Sequence, residues 1–141
     1  MSSLEKRAWL MLWSMCPAYA VYFAIQAGLP ALLPTMSTQI LCLAIVSGTH
    51  AAIYLTGVLL IRRNESGEAT LEDERDVAID RRASRTAYFI LLTGMIVVGV
   101  VMPFNRQGWQ IVNTALLAIV LSETVRYALI VVSYRRPRLA H

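Results

Sequence analysis

His50, Glu123 and Arg126 are ionisable residues that sit inside long apolar runs, where charge is costly and rarely faces lipid. Glu123 and Arg126 are i, i+3 neighbours and can pair on one helix face, and Tyr127 can reach Glu123 at i, i+4. Arg126 lies roughly 12 Å short of Tyr134 by helical rise. Its side chain tilts toward the helix N-terminus, and so toward Glu123. If their helices run the same way, His50 and Glu123 share a depth near the membrane midplane. That trio could form a proton or ion site. The favoured alternative is an ion pair that locks a bundle, because a Glu already paired with Arg is a poor proton carrier. His50 would then be a packing histidine, hydrogen-bonded to Ser47 or Tyr54.

A second cluster precedes the third apolar run. Asp73, Asp76 and Asp80 fall on one helix face, with Glu74, Arg75, Arg81, Arg82 and Arg85 around them. Three carboxylates could hold a divalent cation, but a lone helix seldom supplies the six oxygens calcium wants, so a solvated acidic face with arginines on lipid phosphates is preferred. Thr70 is positioned as an N-cap with Asp73 at the third helical position. Acids in the first turn suit the helix dipole. A helix over residues 71–102 would be roughly 48 Å long, so the third helix should extend beyond the membrane. The residues Asp73-Glu74-Arg75-Asp76, Ile79, Arg82-Ala83 and Ala87-Tyr88 resemble the DERD-x2-I-x2-RA-x3-AY element of a group of small bacterial four-helix integral membrane proteins of unknown function. The resemblance covers the middle of the chain. It implies the fold and compartment and, loosely, a regulatory or immunity-like role, with no activity to carry over.

The elements that must position these residues follow from composition. Of 141 residues, 57% are hydrophobic and 16% charged, and the mean hydropathy is +0.54. A soluble domain this small could not bury so much apolar surface. Residues 8–28, 39–61, 86–102 and 111–134 are each long and apolar enough to approach or span a hydrocarbon core about 30 Å thick. In lipid they must be helices. The expectation is a single all-α domain over residues 1–141: a four-transmembrane-helix bundle, with a cytoplasmic linker and charged helix over residues 62–85. An uncleaved first helix is read over the Ala18-Tyr19-Ala20 motif, since the apolar run continues past it. Pro17 could kink that helix.

The net charge of +4 is explained by topology rather than by nucleic acid. Lys6 and Arg7, the arginines between the second and third runs, and Arg135, Arg136 and Arg138 flank the spans on one side. The intervening loops hold only Arg106. Both termini are therefore expected in the cytoplasm of a bacterial inner membrane. Residues 103–108 signal a tight turn between the third and fourth helices. Leu29 to Pro34 is an apolar, proline-broken loop, with Ser37 or Thr38 expected to cap the second helix. Ala44, Gly48 and Ala52 make a small-residue stripe for close helix approach, and Gly94 and Gly99 are similar candidates.

Cys16 and Cys42 lie in or beside apolar runs without metal-ligand spacing, which points to small packing residues. The sequence shows neither a nucleophile–base arrangement nor a phosphate loop. No enzyme, cofactor or metal is expected. Two functions remain. The first is an interaction, regulatory or accessory subunit, homo-oligomeric or bound to a membrane or cytoplasmic protein, whose charged helix docks the partner through Asp73, Glu74, Arg75, Asp76, Asp80 and Arg82. The second is a small proton- or cation-coupled transporter using Glu123, His50 and Arg126.

Overall fold

The computed structural model describes residues 2–65, 74–104, 106 and 108–135. They form four long helices and no strand: α1 (Ser3–Gly28), α2 (Met36–Glu65), α3 (Glu74–Ile96) and α4 (Gly108–Arg135). Short 3-10 turns occupy Pro30–Leu32 and Met102–Phe104, and a π turn covers Val97–Val101. All four helices are long and apolar enough to cross a membrane. Their apolar surface is largely turned outward: Trp13 is 72% exposed and Phe104 83%. Lipid, not water, is the solvent such a surface requires.

The helices run beyond the apolar stretches because polar residues cap them. The Glu5 N–H donates to Ser2 Oγ at 3.2 Å, so α1 begins at Ser3. Thr35, rather than Ser37 or Thr38, caps α2. The Thr38 N–H donates to Thr35 Oγ1 at 3.3 Å and the Thr35 N–H to Thr38 Oγ1 at 3.2 Å, a reciprocal capping box. At its other end α2 continues through Arg62 and Arg63 to Glu65, where the expected linker would already have begun. Those two cations complement the negative end of the helix dipole. The Thr70 cap and Asp73 fall outside the described residues. Helix α1 runs through Pro17 from Ser3 to Gly28.

Two compact units divide the chain. One contains the start of α1 together with α3 and α4; the other contains the rest of α1 and α2. In the first, α3 and α4 form an antiparallel hairpin, and the Arg106 N–H donates to the Met102 carbonyl at 2.9 Å in the connection. A Cβ placed on Gly94 would lie 2.5 Å from the Ala118 Cβ, so this glycine permits close approach. Gly99 has no neighbour within 4 Å of such a Cβ. Ala83, Ala87, Ala118, Ser122, Ile130 and Val131 are buried positions of the pair. In the second unit the close approach on α2 falls at Gly57, against the end of the Leu10 side chain. Ala44, Gly48 and Ala52 are exposed, and a Cβ on Gly48 meets nothing within 4 Å.

Several threonine and serine hydroxyls in the apolar stretches bond back to their own helix. Thr93 donates to the Phe89 carbonyl, Thr114 to Gln110, Ser122 to Ile119 and Thr124 to Val120. Back-bonding of this kind lets polar side chains sit in lipid without a partner from another helix.

The glycine contacts predict a graded result in thermal unfolding of the detergent-solubilised protein. Gly94→Ala should destabilise by about 1–3 kcal/mol, because Ala118 offers only a Cβ next to backbone to yield. Gly57→Ala should cost less, since the Leu10 side chain can rotate away. Gly48→Ala should be neutral or stabilise by up to about 1 kcal/mol through helix propensity.

Candidate functional site: the charged end of the α3–α4 hairpin

The polar segment of α3 is fastened to the C-terminal half of α4. Arg126 Nη2 donates to Asp80 Oδ1 at 3.0 Å. Its Nη1 lies 3.9 Å from Glu123 Oε2. The shorter contact crosses between helices, so Asp80 rather than Glu123 is the hydrogen-bonded partner of Arg126. The antiparallel register supplies it: Gly94 faces Ala118, Asp80 faces Arg126, and Asp76 faces Tyr134, whose hydroxyl donates to Asp76 Oδ1. Tyr127 meets Arg126, with the guanidinium carbon 5.5 Å from the ring centroid. Arg75 sits 5.5 Å over the Tyr134 ring, and Arg135 sits 5.1 Å over Trp9. Cation–π contacts of this length hold the outer ends of α1, α3 and α4 together by side-chain faces as well as ion pairs.

This register moves the charge along α4. Arg126 is about 12 Å by helical rise from Ala118, which Gly94 of α3 approaches closely. It is level with Asp80 in the charged segment of α3.

Two clefts flank this end. One, of about 360 Å³, is lined by Ser3, Leu4, Arg7, Asp76, Val77, Asp80 and Arg81. The other, of about 340 Å³, is lined by Arg75, Ala78, Ile79, Arg82 and Ser133. Glu74, Arg81, Arg82 and Arg85 are exposed, whereas Asp76 and Asp80 are half-buried. Among the described residues, no group of three or more His, Cys, Asp and Glu side chains comes together as a metal site.

His50 belongs to the other unit. Its ring packs edge-on to Tyr19 at 5.7 Å between centroids and lies 6.4 Å from Tyr54. Ser47 takes a hydrogen bond from the Tyr19 hydroxyl at 3.4 Å, and His50 Nε2 is buried with no hydrogen-bond partner. Tyr134 and Arg7 join this end of the hairpin although local spacing does not mark them as site residues. The hairpin register was the available signal: an antiparallel turn at residues 103–108 places α4 positions beside the α3 carboxylates.

The family described as a predicted membrane protein (DUF2178) matches residues 19–138, most of the length. The chain belongs to the DUF2178 family of predicted membrane proteins. The matched region covers the C-terminal part of α1 and all of α2, α3 and α4, and so includes the charged segments of α3 and α4. No curated protein and no solved structure matches the chain.

A double-mutant cycle on thermal unfolding distinguishes the two acidic neighbours of Arg126. With side chains 31% and 39% exposed, the Arg126–Asp80 pair is partly screened, so Asp80→Asn and Arg126→Gln should couple by about 1 kcal/mol. Glu123→Gln with Arg126→Gln should couple by a few tenths at most. Equal coupling at both acids would contradict the assigned register.

Proposed function

We propose that this DUF2178 protein is a non-enzymatic accessory or regulatory protein of the bacterial inner membrane, with both termini and the charged end of α3 in the cytoplasm. On this reading the charged end docks a protein partner, and the exposed Ala44, Gly48 and Ala52 stripe serves self-association. The observation that carries the proposal is the way α3 is fixed. Asp76 and Asp80 are engaged with Tyr134 and Arg126, which holds the helix rigidly while Glu74, Arg82 and Arg85 stay exposed. A preorganised charged face loses little entropy on binding. The cleft with Arg75, Arg82 and Ser133 lies along the same hairpin and offers the partner a recess.

The acids of the expected docking face divide into two roles on this reading. Asp76 and Asp80 act as internal fasteners, and Glu74, Arg75 and Arg82 act outward. A photo-crosslinking residue at Glu74, introduced in native membranes, should yield a discrete adduct with another protein, reduced at least several-fold by Arg82→Glu with Arg85→Glu. A thiol at the same position should react with impermeant reagent only after the cells are opened. Adducts limited to lipid, or labelling in intact cells, would refute the reading.

One observation favours the transporter alternative. Glu123 sits 3.9 Å from Arg126 while Asp80 takes the shorter bond, which leaves Glu123 less tightly held than a simple ion pair would. His50, with its unpartnered Nε2, is the other candidate in this scheme. Proteoliposomes carrying the protein should then show flux driven by a pH gradient, and Glu123→Gln should abolish it. A sealed-vesicle preparation with no such flux for protons or monovalent cations would remove this alternative.

A further inference from the structure

The cleft lined by Ser3, Leu4, Arg7, Asp76, Val77, Asp80 and Arg81 has a composition that the docking reading does not use. Arg7 of α1 and Arg81, Asp76 and Asp80 of α3 bring charge of both signs to its lining. The two acids are only partly occupied. Tyr134 and Arg126 both bond to Oδ1 atoms, so each Oδ2 can still accept from a ligand. On the basic side, Arg7 Nε is sealed from solvent with no hydrogen-bond partner, so contact with a ligand falls to the terminal nitrogens of its guanidinium. Arg7 is also the last charged residue before the chain becomes apolar, with none following until Arg62. It therefore marks the edge of the hydrocarbon on α1.

We infer that this cleft binds the headgroup of a zwitterionic aminophospholipid, with its phosphodiester on Arg7 and Arg81 and its primary ammonium on Asp76 and Asp80. Charge of both signs in one recess suits a headgroup that carries both. A purely anionic headgroup would meet the two carboxylates. A trimethylammonium headgroup could not donate hydrogen bonds to either Oδ2. Arginine suits the phosphodiester because its planar fork bonds two oxygens at once. Leu4 and Val77 supply apolar wall for the glycerol end, and the first turn of α1 adds the positive end of its dipole. The inference stands apart from the protein-partner reading, which involves the other face of the hairpin end.

Native mass spectrometry of the full-length protein, released from detergent in an equimolar mixture of phosphatidylethanolamine, phosphatidylglycerol and phosphatidylcholine, tests it. Retention of phosphatidylethanolamine should exceed that of the other two by about 10-fold, the worth of one charge-assisted bond. Arg7→Gln and Arg81→Gln should each cut phosphatidylethanolamine retention several-fold by removing a phosphodiester contact, while Arg62→Gln, outside the cleft, should not. Arg81 is exposed, so its variant keeps the test decisive if Arg7→Gln fails to retain helicity by circular dichroism. Soluble glycerophosphoethanolamine should displace the lipid only in large excess. Equal retention of all three lipids in the unaltered protein overturns the inference. So does phosphatidylethanolamine retention that is undiminished by both cleft substitutions, or displacement by stoichiometric soluble headgroup.

Discussion

Carboxylates on one helix and an arginine on the next cannot stay apart when lipid surrounds both. The Arg126–Asp80 hydrogen bond answers that constraint, and the arrangement of α3 against α4 depends on it. In hydrocarbon an unpaired guanidinium is expensive, so the hairpin settles where Arg126 finds an acid on the facing helix. That choice fixes the level of Asp76 beside Tyr134 and of Gly94 beside Ala118. Close apposition of small residues and pairing of polar ones then occur in the same register.

The same constraint accounts for the treatment of polar groups elsewhere. Threonines and serines in the apolar stretches bond back to carbonyls one turn earlier, which costs nothing in tertiary arrangement. Charged residues cannot do this, and they gather at the hairpin end, where tyrosine and tryptophan faces also meet arginines. Caps do the equivalent work at helix starts. Ser2 and the Thr35–Thr38 pair satisfy N–H groups that would otherwise face a nonpolar surface.

Function follows from what this arrangement leaves over. Because Asp76 and Asp80 are turned inward on α4, the exposed side of α3 is more basic than its sequence implies. Two chemically different recesses result: a mixed-charge cleft toward α1, and an arginine-lined one toward the end of α4. Membership of the DUF2178 family fits a membrane protein and leaves the reaction or partner to be found by experiment.

Much of the fold was legible in the sequence. The apolar runs, the prolines and the absence of charge between Arg7 and Arg62 determine helices that cross a membrane, because lipid admits no other backbone arrangement at that length. The tight turn at residues 103–108 determines that α3 and α4 are antiparallel neighbours. Local spacing could offer Arg126 only the residues of its own helix, Glu123 above all. Which acid Arg126 bonds, which glycine is pressed by a neighbour and which of the α3 aspartates remain outward depend on the register between helices. A small change in that register exchanges one partner for another. The sequence holds the candidate residues, but their pairing is a property of two helix surfaces in contact, and only the tertiary structure decides it.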